Sequence, residues 1–145
     1  MNETATHVEE SRVYDSHVIL IATIFGGPLV GGYLLAENFK GFGEVNRTKQ
    51  SWIWGILGLS IMISVSGIIQ NAYVKMIVPV LFSVLTYIGA LYFQGGKIRL
   101  HQQLGGQMHR KDRMFVICFV GAVATYLALL IASVMTQIAY TPDQM

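Results

Sequence analysis

The chain has 145 residues, of which 53% are apolar and only 12% charged, and its net charge is +2; a typical soluble domain carries roughly 25% charged residues. That balance argues against a water-soluble globule and fits a membrane protein, and no nucleic-acid partner is expected. The single cysteine, Cys118, excludes an internal disulfide and lacks the companions of a metal or redox site, so it reads as a small side chain facing lipid or core.

The N-terminal tail sets Glu3, Glu9, Glu10 and Asp15 against one base, Arg12. A secretory signal would need a basic n-region and a small-residue cleavage site, so the apolar run that follows is expected to stay in the protein. Four uncharged runs come next, at 18–36, 51–74, 76–96 and 114–142. A hydrocarbon core of about 30 Å takes ~20 helical residues to cross. The expected fold is therefore all-α: a four-span transmembrane helical bundle with short loops. It would be one membrane domain over 1–145, with spans at about 18–36, 52–74, 76–94 and 114–140.

With four spans, loops 37–51 and 94–113 share one side. They hold Lys40, Arg47, Lys49, Lys97, Arg99, Arg110, Lys111 and Arg113, which leaves Arg12 and Lys75 for the other side. The positive-inside rule puts both loops in the cytoplasm and both termini outside. Tyr14, Tyr73 and Tyr140 would then mark the outer interface. Phe39, Phe42, Trp52, Trp54, Tyr92, Phe93 and Phe115 would mark the inner one. A rival topology is open: run 18–36 is the shortest and holds Gly26-Gly27-Pro28 and Gly31-Gly32, so it can enter and turn back, leaving the tail cytoplasmic.

That same run is the first motif. Pro28 has no N–H and would leave the Ile24 carbonyl unpaired, while Gly27 and Gly31 share a helix face that lets a neighbour approach closely. The expected role of Gly26, Gly27, Pro28, Gly31 and Gly32 is a helix break or tight packing; Gly/Pro-interrupted helices also build transporter sites. Ala124, Ala128 and Ala132 form a small-xxx-small ladder, and Ser60 and Ser64 repeat the spacing after Gly55 and Gly58. Pro79 fits a first turn if the third helix starts near Met76. In loop 94–113, residues 97–104 can form two helical turns with Leu100 and Leu104 toward the membrane, and its bases would attract anionic lipid head groups.

Glu37, Asn38, Lys40, Lys97, Arg99, His101 and His109 are the candidate cytoplasmic-face residues. No catalytic residue is assigned. The spacing of His101 and His109 is not a zinc pattern, and neither a metal nor a cofactor is expected. No ionisable group lies deep in any run, which argues against proton-coupled transport and intramembrane hydrolysis. The polar groups well inside are neutral: Ser60, Ser64, Thr86, Tyr87, Thr125 and Tyr126.

The block from Ala22 to Lys40, with Phe25-Gly26-Gly27-Pro28-Leu29, Gly31-Gly32-Tyr33-Leu34-Leu35 and Glu37-Asn38-Phe39-Lys40, resembles a signature in a family of small predicted bacterial inner-membrane proteins. The likeness continues through Thr48-Lys49-Gln50-Ser51-Trp52, Gly55-Ile56, Ile77-Val78-Pro79, Tyr87 and 92–96, and ends at Ile98, His101, Gly105 and Gly106; run 114–142 matches only in being apolar. The resemblance implies an inner-membrane location and, since the family has no assigned activity, no function. The first functional expectation is an integral membrane subunit packing through small-residue helix faces into a homo-oligomer or larger complex. The alternatives are a small oligomeric channel or transporter with a path between protomers, and a lipid-acting enzyme at the cytoplasmic face.

Overall fold

A computed structural model of the chain describes residues 12–69 and 71–140. The tail residues Glu3, His7, Glu9 and Glu10 and the end of the last apolar run lie outside them. The elements are α1 (Ser16–Gly26), α2 (Pro28–Gly41), α3 (Val45–Ile68), α4 (Ala72–Gln103) and α5 (Lys111–Tyr140). There is no strand among the described residues; Val13 and Met108 form an isolated parallel bridge. Three helices, Val45–Ile68, Lys75–Gln103 and Asp112–Ile138, are long and apolar enough to cross a membrane.

Run 18–36 is not one helix. Gly27 separates α1 from α2 with φ 82° and ψ −179°, a conformation open essentially to glycine alone. Its N–H donates to the Thr23 carbonyl at 2.9 Å, closing α1. Pro28 follows at the first position of α2, where its missing N–H costs nothing and its φ suits a helix. The two helices then fold back on each other. Thr23 faces Gly31, and Tyr14, just before α1, is hydrogen-bonded to Asn38 near the end of α2. Partners closer to the tip in one helix meet partners closer to the tip in the other, so α1 and α2 form an antiparallel helical hairpin.

The long helices fix how deep that hairpin reaches. α1 runs alongside α5: Tyr14 stacks on His109, Cys118 Sγ lies 3.9 Å from the Ala22 carbonyl, and the Thr125 hydroxyl donates to the Gly26 carbonyl at 3.3 Å. α2 lies antiparallel to α3 and crosses it so closely that a Cβ on Gly32 would stand 2.7 Å from the Ser51 carbonyl oxygen and 2.8 Å from the Gly55 Cα. Two glycines facing each other are what this approach requires. At the tip, Pro28 packs on Gly58. With a rise of about 1.5 Å per residue, Gly58 stands ~20 Å from Val45 and ~15 Å from Ile68. The hairpin thus ends about halfway along the bundle and fills only one half of it. Beyond the tip, α4 and α5 scarcely touch.

Two expectations change with this geometry. The residues leading into α1 do not sit opposite the basic loop 94–113: the Val13 N–H donates to the Gln107 carbonyl at 3.3 Å and the His109 N–H to the Val13 carbonyl at 3.1 Å. Tyr14 therefore belongs to the same end as Phe39, Phe42 and Phe93, because the chain turns back at Gly27 instead of running on. The third helix is also longer than expected. α4 takes in Gly95, Gly96 and the segment 97–103, and stops at Gly105, whose φ is 78°. It begins at Ala72, so Pro79 lies inside it rather than in its first turn, and the Lys75 carbonyl loses its partner four residues on.

Candidate functional site at the basic end of the bundle

The hairpin's open end gathers the polar residues. Tyr33 and Glu37 are four residues apart on α2 and share a face. Arg113, in the first turn of α5, reaches both: its Nη2 donates to the Tyr33 hydroxyl at 3.2 Å and lies 3.5 Å from Glu37 Oε2. Its Nη1 is 3.4 Å from His109 Nδ1, and the His109 ring stacks on Tyr14 with centroids 4.2 Å apart and an interplanar angle of 24°. Burial, reinforced by the Arg113 charge, lowers the His109 pKa below its ordinary 6.5. The Tyr14 phenol is pushed up to about 12 by burial, and its hydroxyl has no hydrogen-bond partner among the described residues. Tyr14 is thus a neutral phenol against a ring that favours its neutral form. The single carboxylate of the group, Glu37, lies beside the single guanidinium.

Asn38 has a different role. It is fully buried, as is Gln94 of α4. Asn38 Oδ1 accepts from the Tyr14 N–H at 2.6 Å, and its Nδ2 donates to the Tyr14 carbonyl at 2.8 Å and to Gln94 Oε1 at 3.0 Å. Gln94 Nε2 in turn donates to the Leu35 carbonyl at 3.0 Å. One side-chain amide serves both backbone groups of Tyr14 as a strand would, and a second ties the pair to α4. Buried amides satisfied to this degree rigidify a core. This clamp holds the two ends of the hairpin together.

The other candidates separate. His101 is only 4% exposed; Gly106 packs directly on its ring, its Nε2 is 3.2 Å from the Gln107 carbonyl oxygen, and Phe42 meets it edge-on. It closes the turn after α4 and does not join His109. Lys97 forms an ion pair with Glu44, which also takes Arg47 at 3.0 Å. Lys40, in the last turn of α2, and Arg99 are exposed. Leu100 and Leu104 are exposed, as an apolar face on the membrane side of α4 would be. Gly26, Gly27 and Pro28 form the hairpin's turn, Gly31 lies against Thr23 and Thr86, and Gly32 faces Ser51 and Gly55 of α3. Among the described residues no group of three or more His, Cys, Asp or Glu could hold a metal ion.

Tyr14, Tyr33, Gln94 and Arg113 were not among the expected site residues. The Tyr33–Glu37 spacing is visible in the sequence; the approach of Arg113 and Tyr14 exists only once the chain folds back at Gly27.

No family model, no curated protein and no solved structure matches this chain.

Proposed function

We propose that the chain is a non-catalytic integral membrane subunit with three spans and one re-entrant hairpin. The observation that carries this reading is the hairpin's depth: it reaches only to Gly58, so the far halves of α3, α4 and α5 are left with few neighbours. Of the small-residue faces, Gly32 and Gly55 are used up inside the chain, and Ala128 and Ala132 are half-covered. Ser60, Ser64 and Gly67, which fall at positions i, i+4 and i+7 of α3, are exposed, and among the described residues nothing lies within 4 Å of where a Gly67 Cβ would stand. The serine hydroxyls are already satisfied by their own helix, donating to the Ile56 and Ser60 carbonyls at 3.0 and 2.9 Å. Such a face suits close helix–helix packing in lipid, with further copies of the chain or with a larger complex.

The side assignment follows from charge. With the hairpin re-entrant, Arg12, Lys40, Arg47, Lys49, Lys97, Arg99, Arg110, Lys111 and Arg113 all lie at one end, leaving Lys75 at the other. The positive-inside rule then supports a cytoplasmic N-terminal tail, cytoplasmic basic loops and an outer C-terminus. The likeness of 22–40 to small bacterial inner-membrane proteins supports that membrane.

Oligomeric state tests the subunit reading. A Gly67→Cys chain in a Cys118→Ser background should form disulfide-linked dimers in membranes, and the wild-type mass in lipid nanodiscs should be a multiple of the protomer's. A protomer mass in nanodiscs, with no dimer on oxidation, contradicts self-assembly.

A second reading has its own observation. The start of α2 and the end of α1 lie at mid-depth, where transporters expose half-helix ends to their substrates. A small channel or transporter would show ion or solute flux in liposomes containing folded protein, and Gly27→Ala would abolish it.

A further inference from the structure

A half-open cavity of about 340 Å³ lies between α2, α3 and α4 near the basic end, within the size range of small-molecule sites, roughly 300–1,000 Å³. Its body is apolar, walled by Leu35, Trp54, Leu85 and Phe93, and its mouth is polar, with Arg47 and Gln50. The Trp54 indole is fixed in the wall: its Nε1 donates to Thr86 Oγ1 at 3.1 Å and its ring stacks on Phe82 at 5.2 Å. Gly89 opens the floor, for a Cβ there would meet no atom of the described residues within 4 Å. At the mouth the Arg47 guanidinium is held 5.8 Å from the Phe39 ring centroid and 5.5 Å from that of Phe93. Arg47 and Lys97 share one carboxylate, Glu44, so one positive charge at the mouth is left unbalanced.

We infer that this cavity is a binding site for an anionic phospholipid of the adjoining leaflet, with an acyl chain along Trp54 and Gly89 and the phosphate at Arg47. The shape and the charge both favour an amphiphile over a protein helix. The space runs along residues 47–54 of α3 and not along the whole helix, and its one cation, Arg47, stands at one end. Basic pockets between spans on the cytoplasmic side take anionic head groups in this way. The inference rests on the membrane reading above but not on the subunit reading, and it holds for either side assignment.

The test uses Trp54 as its own reporter. A Trp52→Phe chain leaves Trp54 as the sole tryptophan. It is reconstituted in phosphatidylcholine liposomes with small amounts of either phosphatidylglycerol or phosphatidylcholine brominated on the acyl chain. Brominated phosphatidylglycerol should quench Trp54 at about fivefold lower mole fraction, the preference expected of one basic residue beside an anionic head group. Arg47→Gln should remove that preference while leaving ordinary quenching. Gly89→Leu, which fills open space and keeps the helix, should reduce quenching by both lipids; it carries the test if Arg47→Gln does not fold. Equal quenching by the two lipids in the wild-type cavity overturns the site. So does a Gly89→Leu chain that is quenched as before, or one whose oligomeric state changes, which would assign the cavity to a second copy. Quenching by neither lipid would overturn the membrane reading itself.

Discussion

At the scale of single residues, Asn38 is the position on which the hairpin's closed end depends most. Its amide satisfies both backbone groups of Tyr14 and one oxygen of Gln94, and leaving a buried polar group unpaired costs about 1–3 kcal/mol. Asn38→Ala should lower unfolding stability by roughly 3 kcal/mol. Asn38→Asp should do no better, because a carboxylate cannot donate to the Tyr14 carbonyl or to Gln94. Denaturant titration of the detergent-solubilised chain checks this; an Asp variant of wild-type stability would show that the amide's donor side is unimportant. The sequence marks Asn38 as a polar residue beside the conspicuous Glu37, and nothing in it says that Asn38 is buried. That fact depends on residues 24 and 56 positions away.

His109 makes a second residue-scale prediction. Its folded pKa lies below 6.5, first from burial and then from Arg113. The unfolded chain therefore binds the proton more readily. The contribution of this group to stability is complete above the unfolded value and is lost as pH falls below it toward the folded one. Lowering pH from about 7.5 to about 5.5 should destabilise the wild type more than a His109→Gln chain. Amide exchange of residues 13–17, beside the Tyr14–His109 stack, should rise in parallel. Identical pH profiles for the two chains would remove His109 from the contact.

At the scale of elements, the turn at Gly27 decides the architecture. The break itself is legible: Gly26-Gly27-Pro28 announces an interrupted helix to anyone reading φ preferences and missing N–H groups. Whether the chain then continues across or turns back is not legible locally, because both conformations place glycine and proline well. The choice is made by partners far away in sequence, Thr125 against the tip and Asn38 with Gln94 at the open end. Gly27→Ala should cost about 1–3 kcal/mol from backbone strain, plus the contact of its Cβ with Thr125 Oγ1 at 2.6 Å. Adding Thr125→Ala should recover only the contact part. Full recovery in the double variant would mean that the backbone at Gly27 is not strained by a side chain. The longer reach of α4 has a similar explanation. Gly95 and Gly96 read as helix punctuation, yet Gln94, Ile98 and His101 are buried on one face, and that packing carries the helix past them.

At the scale of the whole molecule, the uncharged runs and their basic flanks point to a helical membrane protein; the described residues are all-helical, and three of their helices are long and apolar enough to cross a membrane. The run at 18–36 is long enough in residues to be counted as a fourth span, but it is broken at Gly27 between helices of 11 and 14 residues, which extend past its ends and pair side by side. The hairpin brings Arg12 to the end already occupied by the loop bases, so the charge asymmetry becomes sharper than in a four-span arrangement. The half-filled bundle that results is what motivates the proposed assembly face on the far half of α3, whereas the cavity lies in the filled half, where α2 meets α3 and α4.

Whether 18–36 dips in and returns is read by labelling single cysteines in intact cells with a membrane-impermeant maleimide. Arg12→Cys, Asn71→Cys and Gln107→Cys, each in a Cys118→Ser background, sample the tail and the two ends of the bundle. The hairpin predicts that Asn71→Cys is labelled from outside while Arg12→Cys and Gln107→Cys react only after the membrane is opened. Labelling of Arg12→Cys together with Asn71→Cys, and not with Gln107→Cys, would show that 18–36 crosses the membrane and would contradict the account.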